Sequence, residues 1–213
     1  MILSTLNIET KLWNSGYSLV CGLDEVGRGS FAGPVVVGAV IFPKNCQPIK
    51  GIADSKLLKP GQREKLAEAS KKCALAWSVA EITVPTINKV GIGKASQMGF
   101  RKAIKSLRIY PDFVLIDAFY VKHLNKKRQK PIKDGDKICA SISAASIIAK
   151  VYRDKLMKKL HKKYPLYGFG KHKGYGTKIH QEMIRLHGLS RIHRRSFNLD
   201  KYISGMFSTS LEQ

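Results

Sequence analysis

Acidic residues are scarce in this chain. Its 213 residues carry 15 Asp+Glu against 38 Lys+Arg, a formal net charge of +23. Such an imbalance favours a polyanionic partner, most often nucleic acid, with anionic membrane as the weaker alternative. Long apolar runs are missing as well. The longest, Ala32 to Pro43, is broken by Gly and Pro, and it is too short to span a bilayer. The stretch from Met1 to Trp13 has no cationic run and carries Glu9, so it does not read as a secretory signal. The four cysteines, Cys21, Cys46, Cys73 and Cys139, form no C-x-x-C pair. That pattern argues against a zinc ribbon and against a disulfide framework. Free thiols in a soluble, cytoplasmic protein are expected.

Familiar catalytic signatures are absent too. There is no G-x-x-x-x-G-K-[ST], so no P-loop; Gly91-Ile92-Gly93 lacks the third glycine of a dinucleotide fingerprint. The six histidines include no H-E-x-x-H, and no G-x-S-x-G elbow occurs.

What remains is an ordinary apolar fraction, 44%, enough to bury a core. Residues 1–16 read as a short, helix-prone lead-in. Tyr17 to Leu23 and Val35 to Phe42 are β-rich and flank a Gly/Pro loop, which suggests a hairpin. Pro60 to Lys72 reads as helix with Pro near its start. Ala74 to Val84 reads as strand, Gly93 to Leu107 as helix, and Phe113 to Asp117 as a short buried strand. Val121 to Lys133 reads as a basic loop, Ser141 to Tyr164 as the longest helix, and Thr177 to His187 as another. The order implies an α/β core with mixed strand directions and a helical C-terminal part.

Charge concentrates in that last part. Residues 150–201 hold 15 Lys+Arg and three acids, Asp154, Glu182 and Asp200. Basic residues there alternate with Tyr164, Tyr167, Phe169 and Tyr175 and with glycines, a mixture suited to a sugar-phosphate backbone.

In so basic a chain, acids beside apolar strands need a reason. Asp24 and Glu25 end the first strand, Asp117 ends another, and Asp136 precedes the long helix. Adjacent strand residues face opposite ways, so Asp24 and Glu25 share a site only where the strand ends or bends. Carboxylates from separate strand ends can hold hard divalent cations, and two such ions about 4 Å apart support phosphodiester hydrolysis. Each acid taken singly could equally be a cap or an ion-pair partner. Asp154, with Lys150 and Lys158 four residues either side, and Asp134, before a glycine, fit that plainer reading.

Taken together, six ordered motifs resemble those of bacterial ribonuclease HII. They are Gly22-Leu23-Asp24-Glu25-Val26-Gly27-Arg28-Gly29 followed by Ala32-Gly33-Pro34-Val35; Asp54-Ser55-Lys56; Leu115-Ile116-Asp117; Gly135-Asp136 ahead of Ser141 to Lys150; Tyr167 to Thr177; and Ile192 to Phe197. The resemblance implies a ribonuclease H-like mixed sheet flanked by helices, with a C-terminal helical extension. It implies a catalytic domain over 17–165 and a basic substrate-binding extension over 166–213, packed as part of one domain. It implies cleavage of the RNA strand of RNA–DNA hybrids, and incision 5′ to single ribonucleotides in duplex DNA, leaving 3′-hydroxyl and 5′-phosphate ends. Asp24, Glu25, Asp117 and Asp136 would be the catalytic acids and would hold Mg²⁺ or Mn²⁺. Gly27, Arg28 and Gly29 would read the 2′-hydroxyl, the group that separates RNA from DNA. Tyr175 would pack on the sugar at the RNA–DNA junction, and Lys56 would hold a phosphate.

The chain departs from the family pattern at Ser30, where Pro is usual, at Ala118, where Gly is usual, and at Ser143, where Ala is common. A monomer is expected, and no sliding-clamp motif is visible in the Met206 to Gln213 tail. Two other readings remain: a DNA-junction nuclease on the same fold, which needs no 2′-hydroxyl reader, and a non-catalytic RNA- or DNA-binding protein, which leaves the strand-end acids unexplained.

Overall fold

The computed structural model describes residues 3–47 and 49–203; the Met206 to Gln213 tail lies outside them. Five strands form one mixed sheet: β1 (Val20–Val26), β2 (Val35–Ile41), β3 (Ala76–Ile82), β4 (Phe113–Asp117) and β5 (Gln129–Ile132), in the order β3-β2-β1-β4-β5. β1, β2 and β3 pair antiparallel, confirming the hairpin, whereas β4 and β5 run parallel to β1. The expected mixed sheet with a helical C-terminal part is therefore present.

Every residue of β2 is buried, which explains an unbroken apolar run in place of alternation. On one face lie α1 (Asn7–Asn14), α2 (Pro60–Cys73) and α5 (Ala140–Lys163), the last preceded by the short α4 (Gly135–Ile138); on the other lies α3 (Val84–Lys105). α5 crosses β1 and β2 where Gly22 and Gly38 face it, and a Cβ on either glycine would run into its backbone. This close approach brings α5 against the acid-bearing strand.

Several boundaries differ from the sequence reading. β1 runs Val20–Val26 where Tyr17 to Leu23 is expected, so Asp24 and Glu25 lie within it. α3 begins at Val84, not Gly93, because its first turns are joined to the rest across a kink at Gly91, where φ is 77° and ψ 159°. The glycines there mask the helical periodicity. The strand before it accordingly stops at Ile82. The basic stretch 121–133 is not all loop: Gln129–Ile132 pairs with β4 as the edge strand. Its lysines and proline hide it.

The N-terminal helix is tied in by one charge. Glu9 is fully buried, and its carboxylate accepts from the Ser141 backbone N–H (2.8 Å) and the Cys139 thiol (3.2 Å). It thus satisfies unpaired donors at the start of α5, where the helix dipole favours negative charge.

The C-terminal part is built around a histidine chain. It includes α6 (Phe169–His172) and α7 (Lys178–His187). The Ser190 N–H donates to His193 Nδ1 (2.9 Å), the two Nε2 atoms of His193 and His180 lie 3.0 Å apart, and His180 Nδ1 lies 2.9 Å from the Tyr175 carbonyl. These contacts assign neutral tautomers: His193 donates from Nε2 to His180, which donates from Nδ1 to Tyr175. Burial agrees, pushing His180 down to about 4 and His193 to about 3.

Two outcomes follow for stability. Glu9→Ala strands the Ser141 N–H and should cost about 1–3 kcal/mol, with Glu9→Gln milder, both read from denaturant midpoints. The histidines stay neutral in the fold but ionise near 6.5 when unfolded, so stability should fall as pH drops from about 6.5 towards 4. His193→Gln should flatten that fall; an unchanged slope would refute the neutral chain.

Candidate active site

Three parallel strands deliver the acids to one edge of the sheet. β1, β4 and β5 all end there, carrying Asp24 and Glu25, Asp117, and, three residues beyond β5, Gly135 and Asp136. Pairing of β1 with β4 stops at Leu23 and Ile116, so Asp24 stands where the two strands part. Such strand ends in open α/β sheets are the usual place for ligands.

A cleft of 270 Å³ opens at this edge. Asp24, Glu25 and Asp117 line it, with Gly27, Arg28, Gly29, Lys56 and Tyr175. Asp24 and Glu25 therefore share one cleft although they are adjacent on a strand, because the strand ends in the Gly27 turn. Asp136 is buried just outside the lining, 3.6 Å from the Lys56 ammonium. All nine candidate residues are thus brought together, eight on the cleft and one behind it.

Each carboxylate is held on one side. The Glu25 N–H donates to Asp24 Oδ1 (2.7 Å), the Gly135 N–H to Asp117 Oδ1 (2.8 Å), and Arg28 to Glu25 Oε1 (3.3 Å). Burial pushes the Asp24 carboxyl well above the usual range, opposed by the Ser146 hydroxyl and reinforced by the charges of Glu25, Asp117 and Asp136. Burial raises Glu25, Asp117 and Asp136 also; Arg28, the Gly135 N–H and Lys56 respectively pull them back. Lys56 itself is raised: burial lowers it, but Asp136, Asp54 and Asp24 outweigh that.

Ala118 follows Asp117 with φ at 62°, the left-handed region that favours glycine. Its N–H still donates to the Ile132 carbonyl (3.0 Å). The β4–β5 pairing therefore holds the strained residue and keeps Asp117 in place. Ser143 uses its added hydroxyl to donate to the Ala53 carbonyl (2.9 Å), and buried Ser30 forms a β-bridge with Tyr175.

That bridge makes the Gly-rich loop and the Tyr175 segment one unit. The Phe31 N–H donates to the Gly174 carbonyl (2.8 Å). Two fully buried arginines complete it. Arg153 donates to the carbonyls of Pro34, Lys173 and Ala32 (3.0, 2.9 and 3.2 Å), and Arg194 to those of Gly33 and Arg28 (2.9 and 2.7 Å). Gly27 has φ at 87°, and a Cβ there would strike the Arg153 side chain; a Cβ on Gly29 would meet no protein atom.

Sequence reasoning missed Ser146 and Lys150 on the cleft and Asp54 behind Asp136. Ser143, Ser146, Lys150 and Arg153 recur at helical spacing along an Ala/Ile-rich segment, a polar stripe that marks one face of α5. Asp154 and Asp134 are structural, as read: Asp154 accepts from Arg63 (3.2 Å) and Lys150 (2.7 Å), and Asp134 pairs with Lys137 (2.7 Å).

The donor set fits hard divalent cations, being oxygen only. Among the described residues no three His, Cys, Asp or Glu side chains form a group able to enclose one ion.

Comparison with known proteins agrees. A family model described as Ribonuclease HII matches residues 21–200. The Ribonuclease HII of Caldicellulosiruptor bescii is 45% identical over 190 residues, covering 89% of this chain and 91% of that protein. The crystal structure of ribonuclease H2 from Pyrococcus horikoshii OT3 is similar with a TM-score of 0.70 and 30% identity, over 87% of this chain and 97% of that one. A ribonuclease HIII solved with Mn²⁺ shares the fold at a TM-score of 0.68 and 21% identity, over 87% and 69%. With the family model, the curated relatives and the fold in accord, the chain belongs to the ribonuclease HII family, endoribonucleases that cleave the RNA of RNA–DNA hybrids.

Proposed function

We propose that this enzyme also incises duplex DNA on the 5′ side of a single embedded ribonucleotide, breaking the P–O3′ bond to leave a 3′-hydroxyl and a 5′-phosphate. The observation that carries this reading is the sharing of one cleft by the acids and by a backbone turn open to a ligand. Nothing in the protein requires glycine at position 29. The glycine there leaves room for a substrate sugar against the backbone, where N–H and C=O groups can hydrogen-bond a 2′-hydroxyl.

Asp24, Glu25, Asp117 and Asp136 would hold two Mg²⁺ or Mn²⁺ ions through their free oxygens. Divalent cations bound there supply activation of the attacking water and stabilisation of the leaving oxygen. The protein's own groups do the rest. Lys56, exposed at the cleft mouth beside Asp136, attracts a phosphate. Tyr175, 37% exposed on the cleft, offers its ring to the sugar at the junction. Arg153 and Lys150 lie 5.5 and 5.8 Å from that ring, so its position and electrostatics are set by cations. Arg28 tempers Glu25 and orients its carboxylate. The net charge of +23 draws in duplex nucleic acid.

The reading is tested with a labelled DNA duplex carrying one ribonucleotide, an all-DNA control and an RNA–DNA hybrid, each with Mg²⁺, Mn²⁺ or EDTA. Metal-dependent incision 5′ to the ribonucleotide with the control intact is expected. Cutting of the control would mean a DNA nuclease, and binding without cutting would mean a nucleic-acid-binding protein.

Asp24→Asn should lower cleavage on the order of 10²–10³-fold or more while preserving substrate binding. The same change should stabilise the metal-free protein. The Asp24 carboxyl is raised in the fold, so its ionised form opposes folding at neutral pH and its protonation relieves that cost as pH falls. The gain from asparagine should therefore be present at pH 8 in EDTA and disappear on acidification; a gain that grew with acid would contradict the assignment. Gly29→Ala should keep the melting temperature yet lose roughly tenfold in discrimination between ribo- and deoxyribo-duplexes, the worth of about one hydrogen bond. Gly27→Ala, strained and blocked by Arg153, should instead lower stability.

A further inference from the structure

A second recess adjoins the catalytic cleft. At 520 Å³ it is larger than the cleft, and the two meet at Arg28, which lines both. The chemistry above uses nothing else in it. Its floor and wall are apolar: Val90, Met98 and Phe100 come from α3, and Phe119 stands opposite. Phe119 is 45% and Met98 38% exposed. The charged residues around it are all cationic, namely Arg28, Lys94, Arg101 and Lys122, and no acid among the described residues lines it.

The walls are built rather than incidental. Gln97 of α3 donates to the Tyr120 carbonyl (2.9 Å) and accepts from the Lys122 N–H (2.7 Å). Gln129 of β5 donates to the carbonyls of Val121 and Leu124 (3.1 and 2.9 Å) and accepts from the Val121 N–H (2.8 Å). Two glutamines thus clamp the segment after Asp117 between a helix and a strand. The Arg28 guanidinium lies 4.6 Å from the Phe119 ring centroid, which joins the aromatic wall to the Gly-rich turn.

Cations alone would suit any phosphate backbone. The apolar floor and exposed aromatic add a second requirement. A duplex keeps its base faces stacked inside and has nothing to place there, whereas an unpaired nucleotide offers a base face and a phosphate together. The volume lies within the roughly 300–1,000 Å³ of small-ligand sites, which suits one nucleotide.

We propose that this recess binds an unpaired nucleotide of the substrate, where single-stranded nucleic acid leads away from the duplex engaged in the catalytic cleft. The base lies against Phe119 and Met98, and its flanking phosphates meet Lys94, Arg101 and Lys122. The enzyme therefore favours ribonucleotide-containing duplexes that carry a single-stranded extension. This rests on the nuclease reading for what occupies the cleft next door.

The test reads binding, in EDTA, by fluorescence anisotropy on the full chain. The probes are a duplex with one ribonucleotide, either blunt or bearing a short unpaired thymidine tail at one end or the other. One tailed duplex should bind about tenfold tighter than the blunt one. Lys94→Glu with Arg101→Glu, and separately Lys122→Glu, should shrink that ratio towards one. Equal binding of blunt and tailed duplexes by the wild type would overturn the proposal. So would charge reversals that weaken both equally, since the recess would then hold duplex backbone. Binding of thymidine monophosphate without any tail preference would assign the recess to a free nucleotide and overturn it also. Incision without tail preference sinks this proposal alone; tail preference without incision in Mg²⁺ or Mn²⁺ sinks the nuclease reading alone.

Discussion

Like-charge repulsion among carboxylates is the constraint around which the structure is arranged. Asp24, Glu25, Asp117 and Asp136 are gathered at one sheet edge, and burial raises all four. Carboxylates so placed repel one another and would drift apart on flexible supports. Here Asp24, Glu25 and Asp117 stand on parallel strands whose ladders fix the backbone, and Asp136 on the short helix just beyond β5. Main-chain N–H groups hold one oxygen each of Asp24 and Asp117, and Arg28 and Lys56 offset the other two. The cost of this crowding is what divalent cations, held there as proposed, would relieve.

The Gly-rich side of the cleft meets a different constraint. Glycines at 27 and 29 leave the turn with little to hold it in one conformation. Arg153 and Arg194 supply the rigidity. Both are buried, and their hydrogen bonds run to carbonyls of the turn and of the segments beside it. A guanidinium suits this use because it stays charged and presents donors in a planar fork. Burial still exacts a cost, lowering Arg194 to about 9 with Arg153 close by. The histidine chain does the same for Tyr175, holding its carbonyl through neutral rings that add no charge near two arginines.

Much of this was legible in the sequence for physical reasons. The β1–β2 hairpin, β4 and α5 are long or strongly apolar, so they stand out from the polar segments around them. The four acids stood out because the chain has so few. What failed to show was fixed by tertiary contact. β5 carries Lys130 and Pro131 and becomes a strand only because β4 offers an edge. The first turns of α3 are disguised by Gly91. Nothing in the sequence marks Glu9 as buried, and only the fold places it at the start of α5. Ser146 and Lys150 were written as a polar stripe along α5, but which cleft the stripe faces depends on how closely Gly22 and Gly38 let the helix approach.

The charge distribution follows from the same division of labour. Several acids are answered by cations, as Glu25 is by Arg28 and Asp154 by Arg63 and Lys150, whereas buried Glu9 is answered by the start of α5. Elsewhere cations dominate, and the recess at Arg28 is an extreme case, with four cations and no acid around an apolar floor. If its only task were solvation, neither Phe119 nor Met98 would need to be exposed there, since apolar surface in water lowers solubility without aiding the core. A surface that is both cationic and aromatic, clamped by two glutamines and continuous with the cleft, is matched by a strand whose bases have left the helix. Duplex recognition at the acids and single-strand capture beside them would then be two faces of one binding surface, divided at Arg28.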